Sequence, residues 1–166
     1  MSVVTTMRVR GGSILSRATS TIDKSLRRAA WSSGLLVEAK VKPITPVGVG
    51  GGGGLRGSII TSPPHKTQDG LAVEVGSALS YAVPVELGTK PHMPPVVAIQ
   101  DWVRQKITRN PKLARAIAWR IAMKIRAKGT KGAHMFERGL EAAQAGIEKI
   151  FDGAGTEIIT NLTRKQ

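Results

Sequence analysis

The chain has 166 residues, 41% of them apolar, which suffices for one modest core and argues against a multi-domain enzyme. Its 25 Lys and Arg outnumber 11 Asp and Glu, and the resulting formal charge of +14 points to a polyanionic partner, nucleic acid first. With no cysteine, a disulfide framework, a thiolate zinc site and a cysteine nucleophile are excluded, and no apolar run approaches the roughly 18 residues that span a bilayer, so a soluble, unsecreted protein with no membrane partner is expected.

Residues 1–12 are polar and basic and end in Gly11-Gly12, which reads as a flexible arm ahead of a single α+β domain over 13–166. Ile14, Ala18, Ile22, Leu26, Ala29 and Leu36 recur at helical spacing, with Arg17, Lys24 and Arg28 on the other side. That pattern predicts a long amphipathic helix to about Lys40, capped by Ser13 and stopped by Pro43 and Pro46. A flexible glycine-rich loop follows at 47–54. Three short strands come next: Ser58–Ser62, a run with Leu71, Val73 and Val75 alternating, and a run with Tyr81, Val83, Val85 and Leu87 alternating. Turn chemistry at Pro63-Pro64, Gln68-Asp69-Gly70 and Gly76-Ser77 makes them an antiparallel meander. Pro84 removes a donor from the third strand, which marks an edge or a bulge there, and an exposed edge can pair with another subunit.

Val96–Ile107 and Lys112–Lys128 read as a helical hairpin broken at Asn110-Pro111, with Pro at the start of its second helix. A last helix runs from near Met135 toward Leu162, with Gly153–Gly155 as a place for a break. Most of the excess charge sits on the hairpin, where residues 96–132 hold ten basic side chains against the single Asp101. Ile117, Ile121 and Ile125, with Ala114 and Ala118, form its packing face. Arg104, Lys106, Arg109, Lys112, Arg115, Arg120, Lys124, Arg126 and Lys128 are the candidate contacts to DNA or to an acidic partner.

No residue set carries enzyme chemistry. The glycine run is followed by Leu55-Arg56, not by the Lys and Ser or Thr that a phosphate-binding loop needs, so it reads as a plain loop. His65, His92 and His134 stand alone, without the spacing of a zinc pair, and read as surface or turn histidines. Glu74, Glu86 and Asp101 form no acid–base pair, and neither a cofactor nor a metal is expected. Glu86 is either an exposed strand carboxylate or a partly buried one, held by the N–H groups of the Gly88-Thr89 turn or paired with Arg56. Trp102 and Trp119 lie among basic residues, where stacking on nucleic acid is conceivable, but aromatics at helical spacing with Ile are expected in the core.

Several segments resemble a known family when taken in order. Thr45-Pro46 before a variable loop is followed by Leu55-Arg56-Gly57-Ser58-Ile59, Tyr81-Ala82, and Val85-Glu86-Leu87-Gly88-Thr89. Gly129-Thr130-Lys131, Met135-Phe136 and Leu140 complete the series. This combination, over about Ser13 to Ala143, is similar to the tail-completion, or head-to-tail joining, neck proteins of long-tailed bacteriophages. Val47 and the glycine tract stand where the family usually has Asp and Gly. The resemblance implies a non-enzymatic virion protein with a long N-terminal helix against an antiparallel sheet. It also implies a homo-oligomeric ring, commonly a hexamer, at the head–tail interface. Its partners would be a head-side adaptor or stopper, a tail terminator or tail tube protein, and genomic DNA in the lumen. By the same resemblance Leu55, Arg56, Ser58, Tyr81, Glu86, Gly88, Thr89, Phe136 and Leu140 are fold and interface residues. The competing reading is a small basic nucleic-acid-binding protein acting as monomer or dimer.

Overall fold

The computed structural model describes residues 5–6, 19–47, 54–68 and 70–163. In chain order the elements are β1 (Thr5–Thr6), α1 (Thr19–Ile44), α2 (Gly54–Ser58), β2 (Ile60–Thr61), β3 (His65–Thr67), β4 (Gly70–Ala72) and β5 (Glu74–Gly76). They continue as α3 (Ala82–Leu87), β6 (Gly88–Thr89), α4 (Val96–Lys106), α5 (Pro111–Lys128), β7 (Thr130–Lys131) and α6 (Met135–Thr163). The fold is α+β, with long helices near both ends of the chain and small antiparallel sheets built from the segments between them and from β1. It divides into two compact units. One holds the described parts of Thr45–Ser58 together with Ala78–His134, and the other holds the described parts of Val3–Ile44, Ile59–Ser77 and Met135–Gln166.

In the second unit α1 lies along α6 and also covers β2, β4 and β5. Small side chains make that approach close. Ala29, Ala30, Ser33, Gly34, Val37 and Val41 recur at intervals of one, three and four residues and are all buried. A Cβ added to Gly139 of α6 would lie 2.3 Å from Val41 Cγ2, and one added to Gly34 would lie 2.5 Å from Val73 Cγ1. Neither seam admits a methyl group. The three-stranded sheet has the order β1-β5-β2, with Ile60 opposite Gly76 and Thr61 opposite Val75. A hairpin pairs His65 with Ala72 and Thr67 with Gly70. Leu71, Val73 and Val75 are buried as expected, but so is Ala72: the run predicted as one alternating strand is two, β4 paired with β3 and β5 in the three-stranded sheet.

Glu38 of α1 links helix to sheet. Thr61 Oγ1 donates to its Oε2 at 2.6 Å and Lys42 Nζ donates to its Oε1. Burial pushes the Glu38 carboxyl up, but these hydrogen bonds and the Lys42 charge outweigh it and hold the pKa below the ordinary carboxylate value.

The first unit is built on the α4–α5 hairpin. Val103, Ala114 and Ala118 are fully buried between the helices, with Val96, Ile99, Ile117 and Ile121 packed around them. Asn110 caps α5 by accepting from the backbone N–H groups of Lys112 (3.0 Å) and Leu113 (3.3 Å), and Pro111 takes the first helical position.

The structure corrects several local expectations. Tyr81–Leu87 is not a strand: Ala82–Leu87 is helix α3, so neither the three-strand meander nor the Pro84 edge exists. Pro84 is the third helical residue, whose N–H has no intrahelical acceptor, so it costs α3 no bond. At the other end Ala133 N–H donates to Val85 O (2.8 Å) and His134 N–H to Glu86 O (3.1 Å), satisfying two terminal carbonyls from a distant segment. Ser58 likewise belongs to helical turn α2, where its Oγ donates to Leu55 O at 2.8 Å, and only Ile60–Thr61 of that predicted strand is extended. The first helix continues one residue past Pro43, which removes a single donor from its last turn. Helix α6 runs through Gly153–Gly155 without a break, held there by buried Ala154. The Ser13 cap, most of the 1–12 arm and most of the glycine-rich loop lie outside the described residues.

Candidate functional site: a cationic helical hairpin

All nine candidate cations of the hairpin are exposed: Arg104 and Lys106 on α4, Arg109 in the turn, and Lys112, Arg115, Arg120, Lys124, Arg126 and Lys128 on α5. None forms an ion pair with another described residue. Asp101, the one acid of the two helices, lines a shallow depression with Arg104, Gln105 and Arg109 and bonds neither arginine. Five of the cations fall within the twelve positions from Arg104 to Arg115, at the tip where α4 turns into α5. Capping by Asn110 and the alanine-tight interior fix this tip, so the charge is mounted on a folded element.

The two tryptophans depart from expectation. Trp119 is 53% and Trp102 38% exposed, so neither indole is a core residue. The reason is the interior itself: α5 meets α4 through Ala114 and Ala118, an approach too close for a large ring. Leu113 and Met123 are also exposed on α5. This outward apolar character was legible in the heptad-like spacing of Ala116, Trp119, Met123 and Ala127, but the inward Ile series dominates the sequence pattern.

A second locus forms where two segments forty residues apart meet. Gly88 pairs with Lys131 and Thr89 with Thr130 in the β6–β7 ladder, and Thr89 Oγ1 lies 2.9 Å from Thr130 Oγ1. Gly129 has φ +69°, and a Cβ there would sit 1.9 Å from Thr89 O, so two backbones approach as only glycine permits. Tyr81, Pro84, Val85, Thr89, Ile125 and Thr130 line an open, mainly apolar groove of about 360 Å³ beside this ladder.

Among the residues singled out from the sequence, the structure therefore joins Tyr81, Gly88 and Thr89 with Thr130. Glu86 is 3% exposed within α3, which removes the exposed-strand reading, and Arg56 is exposed on α2. Leu55 is buried in α2 and Ser58 half-buried. Phe136 is buried and Leu140 half-buried on α6, in the other unit. His65 and His92 are exposed, each beside a nearby backbone carbonyl. His134 is exposed too and takes a positive φ of 48°.

Among the described residues no cluster of three His, Asp or Glu is placed to hold a metal ion, and no helix is long and apolar enough to cross a membrane. No family model matches the chain, and no match is found among curated proteins or solved structures.

Proposed function

We propose that this protein is a structural component of a bacteriophage neck, assembling from identical copies into a ring that joins the DNA-filled head to the tail and lets DNA pass. The observation that carries the proposal is the rigid hairpin tip, where Arg104, Lys106, Arg109, Lys112 and Arg115 are exposed and hold no acidic partner among the described residues. Lys and Arg contacts to phosphate neutralise charge without reading bases and weaken steeply with salt. That suits a conduit that must hold a polyanion and then release it. The ordered motif segments support the same reading, because Tyr81, Gly88, Thr89 and Thr130, scattered in sequence, converge on one ladder and groove. In this role the chain works passively, with no catalytic step, and meets an adaptor or stopper on one side and a tail terminator or tube protein on the other.

The test is assembly. Particles made without this chain should accumulate as separate filled heads and tails, and adding the purified chain should join them. Heads and tails that join and infect normally in its absence refute the proposal. The exposed indoles favour one second reading, a free-standing nucleic-acid-binding protein, which predicts a monomer or dimer that binds DNA and leaves head–tail joining unaffected.

A further inference from the structure

Helix α5 is amphipathic on both sides. Opposite its buried Ala114, Ala118 and Ala122 runs a solvent-facing stripe of Ala116, Trp119, Met123 and Ala127, spaced by three, four and four residues and exposed throughout. Arg115 and Arg126 border the stripe on one side and Arg120 and Lys124 on the other, by helical geometry. No acidic residue occurs on this helix. An apolar stripe between two cationic borders fits a partner surface with small apolar residues set among carboxylates.

The same chain carries such a surface. On α6 Glu137, Glu141, Glu148 and Asp152 are spaced by four, seven and four residues, which places them on one stripe, away from buried Phe136, Gly139 and Ala143. All four are exposed, and Ala145 leaves a low place in the middle of the row. Arg138 and Lys149 stand to one side. At 1.5 Å per residue the acidic row from Glu137 to Asp152 is about 22 Å long and the cationic borders from Arg115 to Arg126 about 16 Å. The two stripes can face each other over about three helical turns and are opposite in sign.

We infer that the outer face of α5 docks on the acidic stripe of α6 of a second copy of this chain. Pairing α5 with α5 would set like charges against each other, so the contact is head-to-tail and each copy offers one α5 face and one α6 stripe. A contact of that kind propagates into a closed ring or an open filament. The inference rests on the self-assembling part of the function proposed above, and it supplies the copy-to-copy surface that the absent Pro84 edge strand does not.

Charge exchange tests it. One variant carries Arg120→Glu, Lys124→Glu and Arg126→Glu, and the other Glu141→Lys, Glu148→Lys and Asp152→Lys; circular dichroism checks that each is folded. The wild-type chain should assemble at low salt in analytical ultracentrifugation, and each variant alone should sediment as a monomer. An equimolar mixture should assemble again, because acidic α5 faces then meet basic α6 stripes and the reverse, which a merely damaged fold would not achieve. Because the chain has no native cysteine, Met123→Cys and Ala145→Cys chains, which place one thiol near the middle of each stripe, give a second reading, in which mixed oxidation should link the two different chains in preference to like pairs. A monomeric wild type, assembly that survives both exchanges, a mixture that stays monomeric, or cross-linking only between like chains each overturns the inference. Assembly that survives both exchanges leaves the neck reading standing, whereas restored assembly together with normal head–tail joining in particles lacking the chain overturns that reading alone.

Discussion

The hairpin tip gives a quantitative expectation. If Arg104, Lys106, Arg109, Lys112 and Arg115 each neutralise one phosphate, log K for duplex DNA should fall with log salt at a slope of about −4.5. Between 50 and 200 mM salt that amounts to a loss of affinity of roughly 500-fold. Replacing Arg104, Arg109 and Lys106 together by Gln leaves about two contacts, a slope near −1.8 and a loss of only about 12-fold over the same range. The three side chains are exposed and hold no ion pair among the described residues, so the fold should be unchanged, which circular dichroism checks. Fluorescence anisotropy with short duplexes of several sequences reads both slope and base preference. A triple variant that keeps the wild-type slope would refute the tip as the contact, and a strong preference for one duplex sequence would refute contacts made to phosphate alone.

Other expectations concern the packing and the caps. Gly129→Ala forces a Cβ against Thr89 O at a positive φ and should destabilise the β6–β7 ladder by about 1–3 kcal/mol or more, read as a lower urea midpoint. Ser33 is fully buried and its Oγ has no hydrogen-bond partner among the described residues, so Ser33→Ala should leave stability unchanged or raise it by about 1 kcal/mol; a clear loss in urea would show that the hydroxyl is satisfied. Asn110→Ala removes the α5 cap and should cost about 1 kcal/mol in thermal or urea unfolding. Glu38 has a depressed folded pKa, so its stabilisation is present above the unfolded value near 4.3 and is lost as pH falls through the folded value. Glu38→Gln should accordingly lower stability by about 1 kcal/mol at pH 7, with the difference from wild type shrinking below about pH 4; a pH-independent difference would contradict the assignment.

Elements with a complete local signal could be read directly from the residues. The α4–α5 hairpin combines apolar spacing, an Asn cap and Pro at the first helical position, and each appears where the pattern puts it. The concentration of cations on that hairpin, and their exposure, followed from the same periodicity. Helices α1 and α6 were legible for the same reason, since long amphipathic repeats leave few alternatives.

What depended on distant segments was not legible. Six residues of mixed Val, Pro and Leu suit a strand or a helix equally well, and α3 won because the N–H groups of Ala133 and His134 reach back to its final carbonyls. The Trp119 ring lies outside because the interior it was expected to fill is closed by alanines from a close helix–helix approach. Thr5–Thr6 pairs with Glu74–Val75 and Gly88–Thr89 with Thr130–Lys131, two ladders between short segments whose own residues specify no partner. Periodicity, caps and charge are properties of neighbouring residues and are written in the sequence itself. Pairing and closeness of approach are set by which surfaces fit once the helices have packed, and only the tertiary structure decided them.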